Sequence, residues 1–149
     1  MNTRPTASLT AETAISVVQG CLIVSLQGDL PGDALLRIRQ DILDAVSTSD
    51  KKAVIIDFSA IHVLDTHAFS HLADSARMVT LIGAKTVWTG FRPGVVSFLV
   101  DMNVDAGNIP TFRTVEDGIT YLTERLQSCQ VTAEDDIVID DEFVDGDDD

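Results

Sequence analysis

The first apolar positions of the chain alternate, and this pattern predicts a pair of β-strands. Ile15 and Val17 recur at every second residue, and residues 22–26 alternate in the same way after a break at Gly20. A period of two is typical of strands with one buried face, and the break at Gln19-Gly20 fits a tight hairpin. The chain is therefore expected to enter its domain through an antiparallel strand pair.

Later segments change to helical spacing. Apolar residues at intervals of three and four predict amphipathic helices over about residues 33–47, 66–82, 93–100 and 114–126. Gly83 is expected to end the second helix, and Pro93 suits the first turn of the third. Thr114, three residues before Asp117, resembles a capping box at the start of the last helix.

Between these helices lie short apolar runs without alternation. Ala53–Ile56 is such a run and predicts a strand that is covered on both faces at the centre of a sheet. Residues 85–89 predict a second inner strand, and residues 109–112 a brief extended segment. The alternation of strands and helices predicts an α/β fold, a mixed sheet of four to five strands with about four helices in a single domain over residues 13–129.

The charge of the chain is unevenly distributed. Of its 24 acidic residues ten fall within residues 130–149, which contain no Lys or Arg, so the net charge of −14 divides into −4 for residues 1–129 and −10 for this tail. No basic excess favours nucleic-acid binding, and no apolar run approaches the length of a membrane span. Residues 1–12 are expected to be a loose leader without the apolar centre of a signal peptide. Two distant cysteines, Cys21 and Cys129, favour reduced thiols and a cytoplasmic location.

The acidic tail is expected to be disordered when free. Three roles are open for it: a solubilising spacer, an acidic docking strip for a basic partner, or an intramolecular cover on the domain. Its composition favours the first two.

Few residues support catalysis. No glycine-rich loop indicates a nucleotide site, and no strained serine turn indicates a hydrolase. His67 and His71 stand four residues apart on the second helix, with His62 and Asp74 nearby, so a metal-dependent enzyme is a possible alternative. The competing interpretation is an ordinary exposed helix face.

The Asp65-Thr66 step enters the second helix directly after the central strand. Asp65 suits the N-cap and Thr66 the first helical position. A phosphate on Thr66 would face the free amides and the positive end of the helix dipole, and would add negative charge beside Asp65. Both interpretations are compatible.

Four segments in and after the central strand carry a family resemblance. The chain resembles the STAS domain of anti-sigma factor antagonists over about residues 13–127, and residues 21–27 with the following helix are most similar to the RsbS-type protein of the stressosome. The matching segments are Val54-Ile55-Ile56-Asp57-Phe58-Ser59, Leu64-Asp65-Thr66, Leu81-Ile82-Gly83-Ala84-Lys85 and Thr89-Gly90-Phe91-Arg92-Pro93.

The resemblance implies a signalling module without catalysis or cofactor. It implies that the domain assembles with RsbR-type STAS proteins, holds a partner-switch serine/threonine kinase, and is phosphorylated on Thr66 after Asp65, while a phosphatase resets it. His67 directly follows Thr66. Arg92 follows the neighbouring parallel strand, and because such loops open at the same edge of a sheet, Arg92 is expected to approach a phosphate on Thr66. RsbS-type proteins usually have Ser at the acceptor position, and Thr66 with Arg92-Pro93 is closer to the RsbR type. A stand-alone antagonist that binds a single anti-sigma factor kinase is the alternative.

Overall fold

A computed structural model describes residues 13–104 and 108–127 of the 149-residue chain. Its elements follow one another as β1 (Thr13–Val18), β2 (Cys21–Gln27), α1 (Gly32–Ser49), β3 (Ala53–Ala60), α2 (Thr66–Leu81), β4 (Lys85–Thr89), α3 (Pro93–Asp101) and β5 (Thr111–Phe112). A fourth helix, α4, covers residues 115–127. The predicted leader and acidic tail lie outside the described residues.

The strands form one mixed sheet in the order β1-β2-β3-β4-β5. The β1–β2 pair is antiparallel, and the three pairs from β2 to β5 are parallel. Gln19 and Gly20 both have positive φ, 51° and 81°, as a two-residue hairpin turn of matching twist requires. The predicted fold class, strand number and helix number are confirmed.

The core lies mainly between one face of the sheet and the helices α1 and α2. Val54, Ile56 and Phe58 of β3 point into it, and Ile38 and Leu72 meet them from the two helices. On the opposite face a Cβ added to Gly118 in α4 would lie 3.2 Å from side-chain atoms of Val87 and Thr89 in β4 and 3.4 Å from Cδ1 of Ile55 in β3. Both faces of the central strand are thus covered, which explains its uninterrupted apolar run.

The chain divides into two compact units, Met1–Ile119 and Thr120–Asp149, and the sheet belongs to the first. In the second, residues 120–127 are helical. The Thr114 hydroxyl accepts a hydrogen bond from the Asp117 amide at 3.1 Å, as the predicted cap requires. Cys21 is buried in β2, and this desolvation raises the pKa of its thiol.

Two predicted elements differ in detail. β3 runs four residues beyond Ile56, through Asp57 to Ala60, because Phe58 continues the buried alternation. In α3 the apolar positions do not form one buried face: Val95 is buried, whereas Val96 and Val100 are 42% and 69% exposed. The apolar spacing predicts the helix but does not show that, of these three valines, only Val95 is buried.

Candidate functional site

The loop between β3 and α2 is held by two buried apolar side chains. Ile61 and Leu64 are buried, and the Ile61 amide donates to the Phe58 carbonyl at 2.9 Å to turn the chain. His62 and Val63 between them are exposed. This anchoring presents the next two residues, Asp65 and Thr66, at the carboxyl edge of the parallel strands.

Asp65 is the N-cap of α2, and Thr66 is the first helical residue. The Asp65 Oδ1 atom accepts a hydrogen bond from the Ala68 amide at 2.7 Å, and its carbonyl accepts one from the Phe69 amide at 3.0 Å. The predicted cap is therefore confirmed. Among the described residues no group accepts from the amides of Thr66 and His67, so both remain available at the positive end of the helix.

Two surface grooves border this step, one lined by Thr66 and the other by Asp65. The first groove, of about 420 Å³, includes half-buried Thr66 and runs along α2 toward the end of α3. It is lined by Thr66, Ser70, Ala73, Asp74, Arg77, Met102, Asn103 and Val104. The other, of about 380 Å³, contains Asp65 and is lined by Asp29, Leu30, Pro31, Val63, Leu64, Asp65 and Ala68. A group added to the Thr66 hydroxyl would therefore change the surface of the groove that Thr66 lines.

A polar network beside the loop between β3 and α2 was not predicted from the sequence. The Asp57 carboxylate accepts hydrogen bonds from the Thr89 hydroxyl at 3.1 Å and from the Ser59 hydroxyl at 2.8 Å. Asp57 and Thr89 are register partners on β3 and β4. Gly90 follows with φ of +77°, and a Cβ there would lie 2.5 Å from Asp57 Oδ1 and 2.9 Å from the Ser59 amide nitrogen. The only available signal was a polar residue at the end of each of two neighbouring strands.

Arg92 lies at the same edge of the sheet, where it contacts the backbone of β3 rather than Thr66. Its Nε donates to the Ser59 carbonyl at 2.9 Å, at the end of β3, and the side chain is exposed. The structure thus brings Arg92 to the carboxyl edge of the sheet, which also carries Thr66, as the strand order predicts. The described hydrogen bonds do not join it to Thr66.

The two histidines of α2 pack against each other rather than around an open site. The His67 and His71 ring centroids are 4.6 Å apart, edge to face, and Nδ1 of His71 lies 3.3 Å from Nη2 of Arg39 in α1. A guanidinium at that nitrogen competes with a metal ion for the same lone pair. No three His, Cys, Asp or Glu residues of the described ranges are grouped to hold a metal.

The sequence profile of the STAS domain matches residues 12–118, close to three quarters of the chain. The chain belongs to the STAS-domain family. Known antagonists in this family are generally non-catalytic. Across residues 13–104 and 108–127, no helix is long and apolar enough to cross a bilayer.

Individual comparisons give the same result. The chain is 28% identical over 110 residues to the RsbT co-antagonist protein RsbRA of Bacillus subtilis, an alignment that covers 74% of this chain and 40% of the relative. Its fold is similar to that of a single-residue variant of Moorella thermoacetica RsbS, with a TM-score of 0.67, 23% identity and coverage of 77% and 97%. A chain in a stressosome structure gives a TM-score of 0.66, 24% identity and coverage of 75% and 97%. The chain spans about two fifths of the RsbRA relative's length.

Proposed function

We propose that this STAS domain is a non-catalytic phospho-switch whose acceptor is Thr66. In its unmodified form it holds a serine/threonine kinase of the partner-switch type within a cytoplasmic assembly of related, RsbR-type STAS proteins. Phosphorylation of Thr66 releases the kinase, and a phosphatase restores the starting state. The observation that carries the proposal is the half-buried Thr66 hydroxyl at the first position of α2, between two surface grooves.

The local electrostatics suit a phosphate at this position. The amides of Thr66 and His67 have no described acceptor, and a phosphothreonine oxygen at a helix N-terminus takes this kind of donor. The modification adds about 1.5 to 2 negative charges next to the Asp65 carboxylate. A partner seated across both grooves would meet this charge directly, and repulsion with desolvation would weaken its binding.

The relatives support this choice of function. The B. subtilis protein is named an RsbT co-antagonist, and the stressosome structure is described as a signal integration and transduction hub. Both descriptions belong to those two proteins, and they are extended to this chain only as part of the proposal. Thr66 in place of the usual Ser, together with the RsbRA match, favours an RsbR-like role for this domain within an assembly.

Phosphorylation by a cognate kinase with ATP tests the site assignment by intact mass and fragment-ion mapping on the full chain. Thr66→Ser should keep the single added phosphate, because the hydroxyl is retained, and Thr66→Ala should abolish it. Ser70→Ala is the matched control, since Ser70 lines the same groove one turn along α2. Undiminished phosphorylation of Thr66→Ala, or its loss in Ser70→Ala, would assign the acceptor elsewhere.

Arg92 is proposed to act as a cation for the phosphate. Its Nε is used by the Ser59 carbonyl, and its two Nη groups have no described acceptor. Arg92→Lys keeps a charge, so comparison with Arg92→Ala separates charge from the guanidinium contact. Equal phosphorylation yield and equal kinase affinity in wild type and Arg92→Ala would exclude this role.

A further inference from the structure

Strand β1 is an edge strand, with a neighbouring strand on one side only. Within residues 13–104 and 108–127, β2 is the only strand that pairs with it. The edge strand on the other side of the sheet, β5, has two residues, whereas β1 has six. Very short edge strands are one means by which proteins prevent further pairing. The β1 side of the sheet is therefore the one with enough backbone to accept another strand.

The hairpin fixes which backbone groups of β1 point away from β2. The two-residue turn at residues 19–20 closes on Val18 and Cys21 as a hydrogen-bonded pair. Because hydrogen-bonded and open pairs alternate along an antiparallel ladder, the N–H and C=O groups of Ile15 and Val17 point outward. No other backbone group of the described ranges pairs with these two residues. Four hydrogen-bonding groups are thus aligned on the outer side of β1.

This strand has none of the features that usually keep an edge strand from pairing. Charged residues, prolines and bulges are the common protections. Residues 13–18 include no charged residue and no proline, and the register with β2 runs without a bulge. Val17 and Val18 are 51% and 40% exposed. Although the chain carries a net charge of −14, two copies can meet along this strand without placing like charges opposite each other.

An uncharged groove accompanies the strand. It has a volume of about 580 Å³ and lies between β1 and the end of α1, where Ala45, Thr48 and Ser49 line it. Ile15 and Val17 line it from β1, since alternate residues of a strand share one face of the sheet. An apolar side chain of an added strand would be covered by this groove.

We infer that the β1 strands of two copies of this chain pair antiparallel about a two-fold axis at Ser16. In this register Ile15 of each copy lies opposite Val17 of the other, so every outward N–H and C=O of these residues gains a partner. A two-fold axis perpendicular to the sheet keeps both α1 helices on the same face. Each Val17 side chain then packs beside the Ile15 and the groove of the other copy. The two five-stranded sheets become one sheet of ten strands.

Sedimentation velocity of the full chain over a concentration series tests this pairing. The wild type should pass from monomer to dimer as its concentration rises. Val17→Glu should raise the Kd of the dimer about tenfold or more, because a charge of the chain's own sign would be buried between the strands. Leu81→Glu is the matched control, since Leu81 is 85% exposed at the end of α2, and it should leave the Kd unchanged. A wild type that is monomeric at every concentration, or equal effects of the two variants, would overturn the inference.

Disulfide trapping tests the register. In the proposed pairing the two Ser16 residues form the central open pair, with Cα atoms about 4.5 Å apart, a separation that a disulfide can span. Ser16→Cys should therefore give a covalent dimer under mild oxidation, well above the wild-type background from Cys21 and Cys129. Ser97→Cys, at an exposed position of α3, should stay at background. A dimer trapped through position 97 and not through position 16 would place the interface on α3 and overturn the inference.

Amide hydrogen exchange separates a second copy from any other occupant of the edge. The Ile15 and Val17 amides should be protected at concentrations where the dimer forms and should exchange rapidly where the chain is monomeric. Equal protection in both samples would assign the edge to another segment of the same chain and overturn the inference. The pairing is independent of the proposed function, because Thr66 follows β3, two strands away from β1. Phosphorylation of Thr66 has a separate readout, so failure of one is distinguishable from failure of the other.

Discussion

At the scale of single residues, the geometry of the Asp65-Thr66 step comes from three neighbours in the sequence. Leu64 is buried and fixes the loop, Asp65 closes the first turn of α2, and Thr66 starts the helix. Each role follows from side-chain chemistry alone: an apolar anchor, a short acceptor and a half-buried hydroxyl. This explains why the Asp65-Thr66 geometry could be predicted from the sequence.

The cap makes a measurable contribution to stability. Asp65→Ala removes the acceptor of the Ala68 amide and should lower the free energy of unfolding by about 1 kcal/mol. Asp65→Asn retains a side-chain oxygen and should cost less. Urea unfolding followed by the fluorescence of Trp88, the single and buried tryptophan, measures both. Equal loss in the two variants would contradict the capping role.

Gly90 gives a sharper residue-scale test, because Gly28 is a matched control. Both have φ of +77°, but only at Gly90 does an added Cβ meet other atoms, Asp57 Oδ1 and the Ser59 amide nitrogen. Gly90→Ala should lower the free energy of unfolding by about 2–4 kcal/mol, since backbone strain and the clash add. Gly28→Ala should cost only about 1–2 kcal/mol for the backbone strain. Equal losses of unfolding free energy in the two variants would show that the Asp57 network rearranges around the added methyl group without cost.

At the scale of elements, the sequence pattern predicts the buried residues correctly where an element has a single apolar face. The apolar residues that recur at helical spacing in α2 are all buried, namely Phe69, Leu72, Ala73, Ala76 and Val79. The pattern does not predict burial in α3, where exposure depends on what packs against the helix. It also does not predict contacts between two strands, which depend on their register. The Asp57–Thr89 pair can be recognised only once the β3–β4 register is known. The same register places Lys85 of β4 opposite Ala53, the residue that follows Lys52.

Helix α3 shows this difference in energetic terms. Val95→Ala removes two buried methyl groups and should lower the free energy of unfolding by about 2 kcal/mol. Val100→Ala, in the same helix but 69% exposed, should change it by less than about 0.5 kcal/mol. Denaturant titration of the two variants measures the contrast. A large cost for Val100→Ala would mean that this side chain is covered in solution.

At the scale of the whole molecule, the parallel sheet separates two kinds of chemistry. Its carboxyl edge carries Thr66, the Asp57 network and Arg92. Its amino edge carries Lys51 and Lys52 before β3 and Lys85 at the start of β4. The net charge of −14 is therefore a poor description of any one surface, because the acids concentrate in residues 130–149. The sequence indicates the acidic tail but not the lysines at the amino edge of the sheet, which are neighbours only because β3 and β4 lie side by side.

Particle size distinguishes the two forms of the proposed function. A stressosome-type scaffold should form a large particle when the full chain is mixed with RsbR-type STAS proteins, as measured by light scattering. The control is the same mixture with an unrelated acidic protein in place of the RsbR-type partner. A monomer or dimer in both mixtures would favour the stand-alone antagonist that acts on a single anti-sigma factor kinase.

The affinity of the full chain for a partner-switch kinase, measured before and after stoichiometric phosphorylation of Thr66, tests the proposed phospho-switch most directly. Phosphorylation should raise the Kd about tenfold or more, a loss of at least about 1.4 kcal/mol of binding free energy. Thr66→Ala, treated with the same kinase and ATP, should keep the unmodified affinity. An unchanged Kd for the Thr66-phosphorylated chain would contradict the account.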